Sequence, residues 1–210
     1  MIALQGAPPL RPGRFHMPVH RDVIVIGGAT GSVGALCRLL SPLPADFPAA
    51  LLAALDTEPE DGIRDLVAHV ASHTRLQVSY AAEGEDPMPG HLYLARSDVH
   101  LALSLNGKMT LRNGPRITDA RPAADPLFET AAEAFGPRVI CIVLSGEDHN
   151  GMDGMKAVHA ARGICIAQSP SDAIVPTMPM NALLDEHIDH CVLLDAMPKL
   201  LMSLVGHASH

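Results

Sequence analysis

The segment from Gly27 to Gly34, GGATGSVG, directly follows the β-branched run VIVI and leads into an apolar-periodic stretch, SVGALCRLL. A buried strand that breaks into glycines and then into a helix leaves backbone amides pointing outward at the helix start. Such amides favour negative charge, either a bound phosphate or the oxyanion of an acyl-transfer intermediate. For the phosphate reading, Gly28 to Gly34 has the spacing G-A-T-G-x-x-G, and Asp56 follows at about the interval of a ribose-binding acid. Against it, Ala29 breaks the strict G-x-G-x-x-G pattern, so no nucleotide cofactor is expected. Metal-ligand residue types gather at Asp185, His187, Asp189 and His190, and again at His207 and His210, but nothing in their spacing fixes a tetrahedral set. They are read as surface residues, and no metal is expected. Cys37, Cys141, Cys165 and Cys191 form no C-x-x-C pair and are read as reduced core residues. Met178, Met180, Met197 and Met202 are read as core filling.

These residues need a scaffold, and the composition supplies one. The chain has 210 residues, 48% of them hydrophobic and 18% charged, enough for one sizeable core. Aromatic residues make up 3% and the net charge is -8, which excludes stacking platforms for single-stranded nucleic acid and repels phosphate backbones. No apolar run reaches the ~20 residues of a membrane span, and no secretion signal is apparent, so a cytoplasmic protein is expected. Residues 1–21 are rich in proline, glycine and arginine and are read as a flexible leader, with Met17 a possible alternative start; residues 205–210 are read as a tail. Between them, VIVIGG, RVICIVLSG and ICIAQ have the unbroken apolar character of strands buried on both faces, and PAALLAAL is ambiguous between strand and helix. Helices are predicted over SVGALCRLLSPL, EDGIRDLVAHVASHT, LFETAAEAF and GMDGMKAVHAARG, within SDAIVPTMPMNALLDEH alongside a proline-interrupted turn, and at the end of HCVLLDAMPKLLMSLVG. In the middle, RLQVSYAA, HLYLA, VHLALSL and KMTLR alternate apolar with polar around Pro89-Gly90 and Asn106-Gly107, which predicts an antiparallel insert. The expected fold is a doubly wound α/β domain over residues 22–204: a mainly parallel sheet, helices on both faces, and an antiparallel β-hairpin insert.

Several blocks carry a family resemblance. VIVIGGATGSVGAL resembles the I-G-A-S-T-G-G turn of the catalytic domain of the chemotaxis protein-glutamate methylesterase CheB. GEDPMPGHLYLARSDVHLAL resembles that family's G-x-x-x-x-P-G-x-x-Y-I-A-P-x-x-x-H segment. NGPRITDARPAADPLFETAA resembles its D-G-P-x-x-x-x-R-P-S-x-D-x-L-F loop and helix. IVLSGEDHNGMDGMKAV resembles V-L-T-G-M-G-x-D-G-x-x-G-M, and AQSPSDAIVPTMPMNAL resembles A-Q-x-x-x-x-x-V-x-G-M-P-x-x-A. A competing resemblance, to the glycine turn of atypical short-chain dehydrogenases, lacks support, because neither Tyr80 nor Tyr93 is followed by lysine four residues on.

The methylesterase resemblance implies hydrolysis of glutamyl methyl esters by a serine nucleophile, a histidine base and an orienting aspartate. Carried over, these fall on Ala29, Asp56 and Asn150, and all three differ from the family pattern. Alanine has no nucleophilic atom, and a carboxylate with an ordinary pKa near ~4 is a far weaker base than imidazole. The family's methionine in the oxyanion region falls on Glu147, which brings negative charge where negative charge would develop. A relocated site would pair Thr30 or Ser32 with His149 and Asp148, against the plainer reading that the hydroxyls cap a helix and the other two are polar loop residues. Arg116, Arg121 and Asp125 fall on a loop that the resemblance places beside the substrate groove. The expectation is a pseudo-enzyme that binds a chemoreceptor helix or another signalling protein. With 21 residues before the first strand, no receiver domain is expected in this chain.

Overall fold

The computed structural model describes residues 19–56, 65–117, 119–147, 149–184 and 187–205. Its main sheet has seven strands in the order β3-β4-β2-β1-β7-β8-β9, and every neighbouring pair is parallel. The strands are β1 (Val23–Gly28), β2 (Ala50–Leu55), β3 (Gln77–Tyr80), β4 (His91–Leu94), β7 (Val139–Val143), β8 (Ile164–Gln168) and β9 (His190–Val192). β1, β2 and β7, all buried throughout, occupy the middle because their sequences have no polar face to offer solvent. PAALLAAL therefore resolves as strand.

Alternation along the central strands divides the core in two. Val23 and Val25 of β1 and Leu52 of β2 face α3 (Ala124–Phe135) and α4 (Met152–Ala160), together with Phe128 and Met155. Ile24, Ile26 and Leu51 face the other way, toward α1 (Ser32–Leu40), α2 (Leu66–Ala71) and α6 (Met197–Val205), with Leu36, Leu39 and Leu201. α5 (Thr177–Leu184) follows β8. No helix among the described residues is long and apolar enough to cross a membrane.

The predicted antiparallel insert is only half right. β5 (His100–Leu103) and β6 (Met109–Arg112) do form an antiparallel hairpin, turned at Asn106-Gly107 with Gly107 at φ +84°. It lies on α3, where Leu103 N–H donates to Thr130 Oγ1 at 2.9 Å. β3 and β4, however, run parallel to each other and belong to the main sheet. An edge strand half open to solvent alternates polar with apolar whichever way its neighbour runs, so the pattern in QVSY could not distinguish the two. Pro89-Gly90 turns the chain into β4, with Gly90 N–H donating to Ala49 O at 3.0 Å.

Two further expectations need correction. Cys37, Cys141 and Cys165 are buried, but Cys191 is exposed because β9 is the other edge of the sheet. Met178 and Met197 fill the core, whereas Met180 and Met202 are exposed on α5 and α6. Met17, residues 1–18 of the proposed leader and residues 206–210 of the proposed tail, including His207 and His210, lie outside the described residues.

Candidate functional site

β1, β2 and β7, being parallel, all end on the same carboxyl-terminal side of the sheet, and their registers, Gly28 beside Leu55 and Gly27 beside Val143, bring Ala29, Asp56 and the loop of Asn150 to that side. The two turns there share a design. α1 starts after Gly31 at φ +81° and α4 after Gly151 at φ +93°, so glycine enters each helix in the left-handed region that other residues avoid. Gly27 serves a different need: a Cβ there would stand 2.5 Å from Ala124 Cβ, so its absence lets α3 approach β1.

Ala29 is 2% exposed and packs in the α3-side core with Ala124 and Met178. Its N–H donates to Ser145 O at 2.9 Å. Ser32, fully buried, donates its hydroxyl to Ala29 O at 2.5 Å. Thr30 is exposed, and Glu147 reaches across to it: Thr30 N–H donates to Glu147 Oε2 at 3.3 Å and Thr30 Oγ1 to Glu147 Oε1 at 2.9 Å. The protein's own carboxylate thus lies where the amides of the turn invite an anion. Asp56, half-buried, is anchored through its N–H to Gly28 O at 3.0 Å. Asn150 is fully buried, and its Oδ1 accepts from Ala124 N–H at 2.8 Å. Ala123, which precedes α3, has no capping side chain of its own, so Asn150 supplies the missing acceptor from the β7–α4 loop.

Asp125 is buried within the same helix–helix contact. Its Oδ1 accepts from Gly154 N–H at 2.8 Å, pinning the start of α3 to the first turn of α4. Burial raises its pKa above the ordinary carboxylate value; hydrogen bonds from the Gly154, Gly151 and Asp153 backbone oppose the rise, and the Asp153 charge adds to it. A cavity of about 410 Å³ opens beside it, lined also by His149, Asp153, Lys156, Asn181 and Leu184. His149 is exposed and lines that cavity, whereas Ala29, Thr30, Ser32 and Asp56 are not among its lining residues. Asp148 lies outside the described residues.

Arg116 and Arg121 are engaged by their own loop and by the loop between β4 and β5. Both reach Asp98, at 3.6 and 3.1 Å, while Arg116 also donates to Asp119 O and Arg121 to Gly114 O, each at 2.9 Å. Of the acids and histidines near the C-terminus, Asp189 accepts from Cys165 N–H at 2.8 Å and His187 stacks on His159 with centroids 4.9 Å apart; Asp185 lies outside the described residues and His190 sits in edge strand β9.

Three buried polar residues that sequence reasoning passed over hold the site together. Ser145 Oγ donates to Thr30 O at 2.7 Å and accepts from Val175 N–H at 2.9 Å, while its N–H donates to Gln168 Oε1 at 3.1 Å. His100 donates through Nε2 to Pro115 O at 2.8 Å and accepts from Ala123 N–H through Nδ1 at 3.1 Å, fixing one tautomer and the loop before α3. His100 stands at the histidine that closes the second block of resemblance, which was the available signal; Ser145 and Gln168 are ordinary polar residues at strand ends until the fold brings them together.

The sequence model described as "CheB methylesterase" matches residues 24–201. Similar proteins include "Protein-glutamate methylesterase/protein-glutamine glutaminase 2" of Koribacter versatilis, 32% identical over 197 residues, covering 92% of this chain and 54% of that protein. "Protein-glutamate methylesterase/protein-glutamine glutaminase 5" of Myxococcus xanthus is 38% identical over 187 residues, covering 84% of this chain and 53% of that protein. The chain thus spans about half the length of these curated relatives. The crystal structure of the Thermotoga maritima CheB methylesterase catalytic domain superposes with a TM-score of 0.83 at 29% identity, covering 89% of this chain and all of that one. Strand order, the two glycine-started helices and a sequence match over nearly the whole described length agree: this chain belongs to the CheB methylesterase family.

Proposed function

We propose that this chain is a methylesterase-family domain whose catalytic groups have been replaced and which works by binding in chemotaxis-type signalling, to a chemoreceptor helix or another signalling protein. One observation carries the reading: the turn that should present a nucleophile and an anion-binding amide has the Ala29 methyl group, buried, and the Thr30 amide bonded to Glu147. Acyl transfer needs an attacking oxygen or sulfur and donors free to receive the developing oxyanion. Asp56 and Asn150, at the positions matched to base and orienter, supply neither an imidazole nor a carboxylate to orient one. Against the relocated alternative, Ser32 commits its proton to Ala29 O and Thr30 commits its own to Glu147. A nucleotide phosphate at the same turn would have to displace a like-charged carboxylate.

The test is methanol release from a methylated receptor fragment. Wild-type protein should match the uncatalysed background, and so should Ala29→Ser alone, since losing any one triad member already removes most of the ~10⁴ to 10⁶ acceleration such a unit gives. Combining Ala29→Ser with Asp56→His and Asn150→Asp should exceed the single variant by at least about tenfold. Turnover well above background in wild type or in Ala29→Ser would refute the proposal.

A further inference from the structure

On the face of the sheet away from α3, α1 and α2 bring together Cys37, His69 and His73, one potential ligand atom from each lying within 4.8 Å of the others. This cluster lies outside the turn of Ala29, and of its members only Cys37 has been met above, as a buried thiol. We propose that Cys37, His69 and His73 form a binding site for a zinc-class divalent metal ion, with water as the fourth ligand.

The chemistry of the donors selects the metal. One thiolate and two imidazoles suit a borderline-soft ion such as Zn²⁺, whereas oxygen-seeking Mg²⁺ and Ca²⁺ would find no carboxylate in the set. The two histidines are four residues apart, His69 within α2 and His73 two residues past its end, and their ring centroids lie 4.9 Å apart. His73 Nδ1 lies 2.9 Å from the His69 carbonyl oxygen. A carbonyl only accepts, so Nδ1 carries the proton and Nε2 keeps its lone pair, the tautomer in which a ligating histidine is normally held by a neighbouring acceptor. The Ser72 hydroxyl, donating to the same carbonyl at 2.7 Å, reinforces that corner.

The third donor comes from α1, and the two helices are already tied: Thr74 Oγ1, just past α2, donates to Leu40 O in the last turn of α1 at 3.3 Å. Cys37 is buried and His73 exposed, which gives the site a closed floor and an open side for entry. Tetrahedral coordination at metal–ligand distances of ~2.0 to 2.3 Å sets donor atoms about 3.5 Å apart. The donor atoms, within 4.8 Å of one another, therefore draw closer on binding. Binding converts the Cys37 thiol to a thiolate and releases its proton to solvent, so one proton leaves for each ion bound and affinity falls as pH is lowered. Burial raises the Cys37 pKa and makes the bare thiolate costly, and the metal charge offsets that cost.

Titration of the metal-free full chain with Co²⁺ tests the assignment. One equivalent should bind and produce a thiolate-to-cobalt charge-transfer band that Zn²⁺ abolishes by displacement. Cys37→Ser should lose the band, and Cys191→Ser, changing the exposed cysteine, should retain it. His73→Gln, at an exposed position that leaves folding intact by circular dichroism, should weaken binding by at least about tenfold. Absence of the band in wild type, its survival in Cys37→Ser, its loss in Cys191→Ser, or unchanged affinity in His73→Gln would each overturn the site. Because none of these readouts involves methyl ester or receptor, the outcome is independent of the reading proposed for the Ala29 turn.

Discussion

At the scale of single residues, the polar groups around the Ala29 turn are committed to bonds within the fold. Asn150 offers an oxygen that α3 uses as a cap. Glu147 accepts from the Thr30 amide across the β1–α1 and β7–α4 loops. Asp125 illustrates a residue whose place in a groove is secondary to its place in the fold. Its folded pKa is raised, so between the ordinary value of 3.8 and that raised value the folded state holds the proton more tightly than the unfolded chain does. Its contribution to stability therefore declines as pH rises through this window. Asp125→Asn keeps an acceptor for Gly154 N–H and removes the titration. Urea denaturation across the acid range should show the wild type losing stability relative to the variant with rising pH; the opposite slope would mean that the amide bonds outweigh burial.

At the scale of elements, the site depends on how closely α3 lies on the sheet. Gly27 permits the approach, and α3 in turn places Ala124 against Asn150 and Asp125 against α4. Gly27→Ala would drive a methyl group into Ala124 Cβ and leave Phe128 Cζ 3.2 Å away. Overpacking of this kind costs about 1–3 kcal/mol, measurable as a lower denaturation midpoint with the urea slope unchanged. The elements themselves were largely readable in the sequence. Unbroken apolar runs marked β1, β7 and β8 because strands covered on both faces have no solvent side to encode. Asn106-Gly107 marked the hairpin because its turn requires positive φ. The direction of β3 and β4 was not readable, since alternation reports which face is wet and carries no sign for parallel or antiparallel pairing.

At the scale of the whole molecule, two half-cores share one sheet, and Leu51 and Leu52, adjacent in β2, belong to opposite halves. Leu51→Ala and Leu52→Ala should each cost about 2–5 kcal/mol, and both should lower the same single unfolding transition. Two separable transitions would show that the faces of the sheet unfold independently. The sequence by itself determined the family resemblance, the parallel α/β architecture and the presence of alanine at position 29, because residue identity and periodicity are local properties of the chain. Only the tertiary structure decided that Glu147 bonds to Thr30, that Ser145, Gln168 and His100 brace the turn and its loop, and that Cys37 meets His69 and His73. Each of these is a meeting of residues distant in sequence, and such meetings are fixed by how strands order and helices pack, which no local pattern records.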